Sequence, residues 1–277
     1  MINKLLYIFL ILILNIMTSS SIYAAEVFNF DVTEVEIIEE GNKFLGKNGG
    51  TATSNDGTVI KANNFEYDKL KNILIAIGDV EIDDKKENIV ITSQKITYFK
   101  NKEFIFSEGQ SQAINEDIVI DADNFEYNKI TNVINASGNV KIDNKSENYL
   151  IYANNATYLK NKELFLTKGQ SQAINEDIVI DADNFEYNKI TNVINASGNV
   201  KIDNKSENYL IYANNATYLK NKELFLTKGQ SQAINEDIVI DADNFEYNKI
   251  TNVINASGNV KIKDSINDYL ILANDAT

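Results

Sequence analysis

The chain has 277 residues, a net charge of −14 at pH 7, and no proline, cysteine, histidine or tryptophan. Without cysteine there is no disulfide framework and no thiolate metal site. Without histidine the commonest general base and zinc ligand are gone, so no cofactor or metal is expected and catalysis would rest on carboxylates, Lys, Ser or Tyr alone. The acidity argues against a nucleic-acid partner, whose phosphates call for a basic patch.

The first element, "MINKLLYIFLILILNIMTSSSIYAAE", has one early positive charge, Lys4, then an apolar run from Leu5 to Leu14, then small residues. It reads as a secretory signal peptide over residues 1–25, cleaved after Ala24 or Ala25. The run breaks at Asn15 and is short for a bilayer span of about 20 residues. The mature chain, 26–277, then works outside the cytoplasm.

Repeats dominate the remainder. Gly109–Lys168 and Gly169–Lys228 are identical, and a third copy from Gly229 holds through Ile262 before diverging into "KDSINDYLILANDAT". An older, degraded copy at Ile60–Ile82 lies in the same register. Within each 60-residue unit Ala122, Tyr127, Lys129 and Gly138 recur as Ala153, Tyr158, Lys160 and Gly169. The underlying module is therefore about 30 residues long: an alternating run, "A-[DN]-N-x-x-Y-x-K", a turn, a second run, then Gly.

The alternation has period 2, which predicts strands near 117–127, 132–142, 148–159 and 163–174 in each unit, the fourth being the least regular. Ile118, Ile120 and Ala122 share a face, opposite Val119, Asp121 and Asp123. "YNKITN", "YLKNKE" and "DNKSEN" read as polar turns. Such strands are long, and each is expected to bend. The alternation slips at Asp123–Asn124, residue types that tolerate left-handed backbone, and Gly138 is the matching weak point on the next run. Bends at one level fold the sheet into a V around an apolar trough. With strands about 4.8 Å apart, four strands lengthen the stack by roughly 19 Å per unit.

The "ADNFEY…NASGNVKI" pattern, repeated about every 30 residues behind an export signal, resembles the OstA-like family of periplasmic lipopolysaccharide-transport proteins. That family includes the bridge protein LptA and the N-terminal domain of the outer-membrane assembly protein LptD. The resemblance covers about Phe28 to Thr277. It implies an all-β fold, an open β-jellyroll (β-taco) of stacked, bent antiparallel strands. It further implies a periplasmic protein that holds lipopolysaccharide acyl chains inside the V and pairs edge strands with other OstA-like domains. The run "YLILANDAT" stops where earlier copies continue into Tyr158 and Tyr218, so a truncated LptD-type domain ahead of an outer-membrane barrel is expected over the LptA type. The cysteines that tie many LptD domains to their barrel are absent.

The expected lipid-binding face comprises Ile118, Ile120, Phe125, Tyr127, Ile134, Ala136, Val140, Ile142, Tyr149 and Ile151, with Ile178, Ile180, Phe185, Ile194, Val200 and Ile202 in the next copy. On the residues alone this face is equally a filled sandwich core. The rival reading is an exported structural or adhesive β-solenoid with a closed core and no lipid. Acidic "NEDIVIDADN" lacks the Gly and spacing of a calcium loop and reads as a solvated face. "NAS" at Asn135 and "NAT" at Asn155 are chance matches in an Asn-rich chain.

Overall fold

The computed structural model describes residues 27–277, and the signal-peptide reading falls outside them. Among the described residues, 22 strands form one antiparallel sheet, and the helical content is four single 3-10 turns. The chain runs as a meander. Ile118–Asn128 pairs with Phe104–Asn115 on one side and with Val133–Asn144 on the other. Val133–Asn144 in turn pairs with Tyr149–Leu159. A parallel β-solenoid is therefore excluded for this region, and the all-β, jellyroll-like class is the observed one.

Every long run bends at one level. The ladders break between Asp121 and Asn124, between Glu108 and Ser111, and between Ala153 and Asn155. In the later copies the break divides the run outright, giving Ile178–Ala182 and Asn184–Asn188. The fourth run divides likewise into Leu164–Lys168 and Ser171–Asn175, at the Gly-Gln step where its alternation weakens. The corners therefore lie where the sequence places them, but the left-handed backbone does not. Asp123 and Asn124 keep ordinary φ, while Gly138 and Asn139 adopt φ of +75° and +49°. Two consecutive positive φ values turn the strand sharply enough that its neighbour need only slip register. A side chain at Gly138 would put Cβ 2.2 Å from Asp123 Oδ2, so glycine is required there. Asn139 Nδ2 donates to the Asp123 carboxylate across the corner at 3.0 Å. Asp123 is thus a corner residue and not simply part of a solvated face.

Bending gives two walls. One carries Ile118, Ile120, Val140, Ile142, Tyr149 and Ile151 inward; the other carries Phe125, Tyr127, Ile134, Ala136, Tyr158 and Phe165. The walls are staggered. Tyr149 packs on Tyr187 with ring centroids 5.6 Å apart, and Asn144 Nδ2 donates to Tyr187 Oη at 2.8 Å, 43 residues apart in sequence. Tyr158 Oη donates to Asn115 with the same offset, and Asn204 donates to Tyr247 Oη. Each module thus finishes its core on residues of an earlier one, as expected of a stack whose single repeat has no core of its own. Burying each Ile or Phe is worth about 1.5–3 kcal/mol over exposure, which is what offsets the ordering of the chain.

Candidate functional site

The apolar interior is one continuous cluster running from Phe28 to Val260. All sixteen residues expected to line the trough lie in it, and each is at most 3% exposed. The walls are therefore in contact, and the space between them is filled by their own side chains. A guest chain would have to part the walls.

Exposure of this face rises toward the last described strand. Ile118 and Ile178 are buried, whereas the same position in the third copy, Ile238, is 39% exposed. Tyr149 and Ile151 are buried, while Tyr269 and Ile271 on the edge strand Tyr269–Ala276 are about half exposed. The opposite end is plugged by aromatic rings. Phe30 stacks on Phe44 at 4.0 Å, and Phe28 packs edge-on against Tyr67 at 5.2 Å.

The mouth of the V, between the two rows of turns, is closed by charge. From Lys129 onward, the Lys of each Y-x-K step leaves the end of one wall and reaches an acid in a turn of the other wall, 72 or 73 residues earlier. Lys129 Nζ lies 2.9 Å from Asp56, Lys160 3.4 Å from Glu87, and Lys189 2.6 Å from Asp117. Lys220 follows at 2.7 Å from Glu147 and Lys249 at 3.0 Å from Asp177. "YNKITN" and "YLKNKE" form the expected polar turns, but their lysines are only 7% to 19% exposed. The amphipathic stem lies over the core rim while the ammonium crosses the seam; Lys220 Nζ sits 5.5 Å above the Tyr149 ring.

The seam shifts the ionisation of its members. Burial opposes the charge of Asp117, but hydrogen bonds from Lys189 and Ser146 outweigh it and hold the carboxyl below its ordinary range. For Asp177 the Ser206 hydroxyl is the largest influence, ahead of opposing burial and of Lys249, and the carboxyl is again lowered. Burial works against Lys129, Lys189 and Lys249, yet their carboxylate partners hold all three above the ordinary lysine value. Beside the seam, burial is the main influence on Tyr187, whose phenol is pushed up to about 12, so it stays a neutral hydroxyl.

Among the described residues no group of three or more acidic side chains is disposed to hold a metal ion. Asp121 accepts a hydrogen bond from Gln112 at 2.7 Å, and Asp123 is engaged at the corner. The lysine seam was not anticipated from the sequence. The signal for it was present: Lys69, Lys100, Lys129, Lys160, Lys189, Lys220 and Lys249 hold the same place after Tyr in every module, the degraded copy included.

No family model matches the chain, and no curated protein does. Among solved structures it is similar to a crystal structure of LptH, described as the LptA homologous periplasmic component of the conserved lipopolysaccharide transport device from Pseudomonas aeruginosa. The identity is 14% and the TM-score 0.24, over 52% of this chain and 83% of that one. At that TM-score the likeness carries no argument. Among the described residues no helix is long and apolar enough to cross a membrane, which says nothing of a β-barrel.

Proposed function

We propose that the chain is a periplasmic lipid conduit of the lipopolysaccharide-transport type. Exported by its N-terminal segment, it takes acyl chains between its two walls and passes them along the stack. Its edge strands pair with other domains of the same fold by β-augmentation, either as a bridge of the LptA type or as an LptD-type domain ahead of an outer-membrane barrel. The observation that carries this reading is the unbroken apolar interior that runs along the stack. Each acyl CH₂ moved from water into such an interior gains about 0.8 kcal/mol, so a chain entering it competes with wall-on-wall packing.

The test is photocrosslinking with lipopolysaccharide. A photoreactive residue at Phe125 or Ile134, on the inner face, should capture the lipid; one at Asn135, on the outer face, should not. Equal capture from the two faces sinks the proposal.

A second reading, an exported structural β-protein with a permanently closed core, is favoured by the near-complete burial of the inner face. It predicts no capture from any position, and no change in hydrogen exchange of the inner strands when lipid is added.

A further inference from the structure

The seam that closes the mouth has three features that a purely structural lock does not need. The first is uneven satisfaction. Four of the five lysines hydrogen-bond their acid across the seam, Lys189 to Asp117 at 2.6 Å and Lys220 to Glu147 at 2.7 Å among them, whereas Asp177 Oδ1 faces Lys249 at 3.0 Å without a bond of good geometry. A phosphate, with several charged oxygens, offers each ammonium more acceptor positions than one carboxylate does.

The second is the company the lysines keep. The residue after every second rim lysine is large, apolar and exposed: Leu70, Ile130, Ile190 and Ile250, each more than 70% accessible. A cation beside an unburied aliphatic side chain recurs every 60 residues at the lip of an apolar interior. That combination matches an amphiphile with an anionic head and acyl tails. The third feature is charge. In a chain with a net charge of −14, the lysines gathered on one lip offset the repulsion that an anionic headgroup would otherwise meet.

We propose that Lys129, Lys160, Lys189, Lys220 and Lys249 are headgroup-binding residues. Each exchanges its carboxylate across the mouth for a phosphate of an anionic lipid as the walls part and the acyl chains enter. This rests on the lipid-conduit reading and adds to it the ligand class and the residues that recognise it. The exchange leaves no lysine unpaired, because one anion replaces another. The released carboxylates, Asp117 and Glu147 among them, turn out to solvent, where their charge is hydrated at little cost. Successive rim lysines are two strands apart, roughly 10 Å along the stack, so a lipid can be passed from one to the next.

The experiment compares two ways of breaking the same ion pairs. One double variant, Asp117→Asn with Glu147→Gln, removes the acids facing Lys189 and Lys220. The other, Lys189→Gln with Lys220→Gln, removes the lysines. Binding is measured with diphosphorylated lipid A and with the same lipid stripped of its phosphates. Inorganic phosphate alone is a third arm. With the phosphorylated lipid the acid variant should bind severalfold tighter than the wild type and the lysine variant about tenfold weaker. With the stripped lipid the two variants should bind alike, and inorganic phosphate should not bind measurably.

A Lys189→Arg, Lys220→Arg variant, which keeps the cations, should restore discrimination for phosphate. It also separates loss of recognition from loss of fold, with circular dichroism checking each variant. If both Gln/Asn variants shift affinity for phosphorylated lipid equally and in one direction, the seam is a lock only and the inference fails. Tight binding of inorganic phosphate alone also overturns the lipid headgroup as the source. If neither lipid binds the wild type or the opened variants, the conduit reading falls and the inference falls with it.

Discussion

The two ends of the stack are built from the same module and differ in how they are finished. At the N-terminal end Lys129 and Asp84 are 7% and 3% exposed, and Lys100 joins Asp56 and Tyr98 in the same buried network. Burial there opposes the Asp56 charge, but Ser54 and Lys129 outweigh it and hold its carboxyl far below the ordinary range. Aromatic rings close the interior behind this network. At the C-terminal end Lys249 and Asp177 are 18% and 29% exposed, and inward-facing side chains meet solvent. Sequence identity in the middle thus hides a gradient in burial along the stack. The gradient arises because a position's burial depends on residues some 43 or 73 places away, not on its own module.

The largest expected break in that contrast is Lys129→Ala. It leaves the buried Asp84 without its lysine, while Asp56 keeps Lys100, and the N-terminal third should lose about 3–5 kcal/mol. Lys249→Ala, in a wetter pair, should cost below about 1 kcal/mol. Native-state hydrogen exchange is the proper measurement, since a stack of repeats need not unfold as a single unit. Equal losses at the two ends would refute the gradient.

Next comes the inner face. Ile151→Ala should cost about 2–5 kcal/mol, while Ile271→Ala, at the same place in the module but half exposed, should cost below about 1 kcal/mol. A third contrast is at the corners. Gly138→Ala meets Asp123 at 2.2 Å with φ at +75° and should cost about 1–3 kcal/mol. Gly169→Ala has a similar φ but finds Asn154 no nearer than 3.5 Å, and should cost only the backbone strain, about 1 kcal/mol. Denaturant melts of the two variants check this.

The smallest effect is the pH profile. Carboxyls held low, such as Asp117 and Asp177, contribute stability that is present above their unfolded value of 3.8 and lost as pH falls through their folded values. Lysines held high, such as Lys189 and Lys249, contribute stability that is complete below 10.5 and lost as pH rises through their folded values. The seam should therefore be at full strength between those limits. On acidification the pairing around Asp56, whose carboxyl is held far lower, should outlast that around Asp177, which exchange measured at stepwise lower pH would follow.

Much of the architecture was legible in the chain. Alternation gave the strands to within a residue or two, and its slip at Asp123–Asn124 with Gly138 gave the corners. What escaped were relations between distant residues. The positive φ at Asn139 follows from the paired turn of Gly-Asn and not from composition. The seam follows from the stagger of the two walls, a property of sheet twist that no local pattern encodes. A lysine after tyrosine and an acid 73 residues before it are unremarkable until the stagger brings them together. The inner face was predicted correctly as a face, but whether it is filled depends on how closely the walls approach, which alternation does not report.

The stagger bears on the chain's history as well as its mechanics. The contacts between the walls span 43, 72 or 73 residues and recur with the 60-residue period, so inserting or deleting 60 residues within the identical stretch returns each lysine to an equivalent acid and each tyrosine to an equivalent asparagine. The gene can lengthen or shorten by slippage during replication without disturbing a single pairing. Natural isolates differing in copy number would be folded molecules of different reach, each repeat adding roughly 19 Å. Copy number is then a dial on span that selection can turn in one step, independently of the side chains that fill the interior.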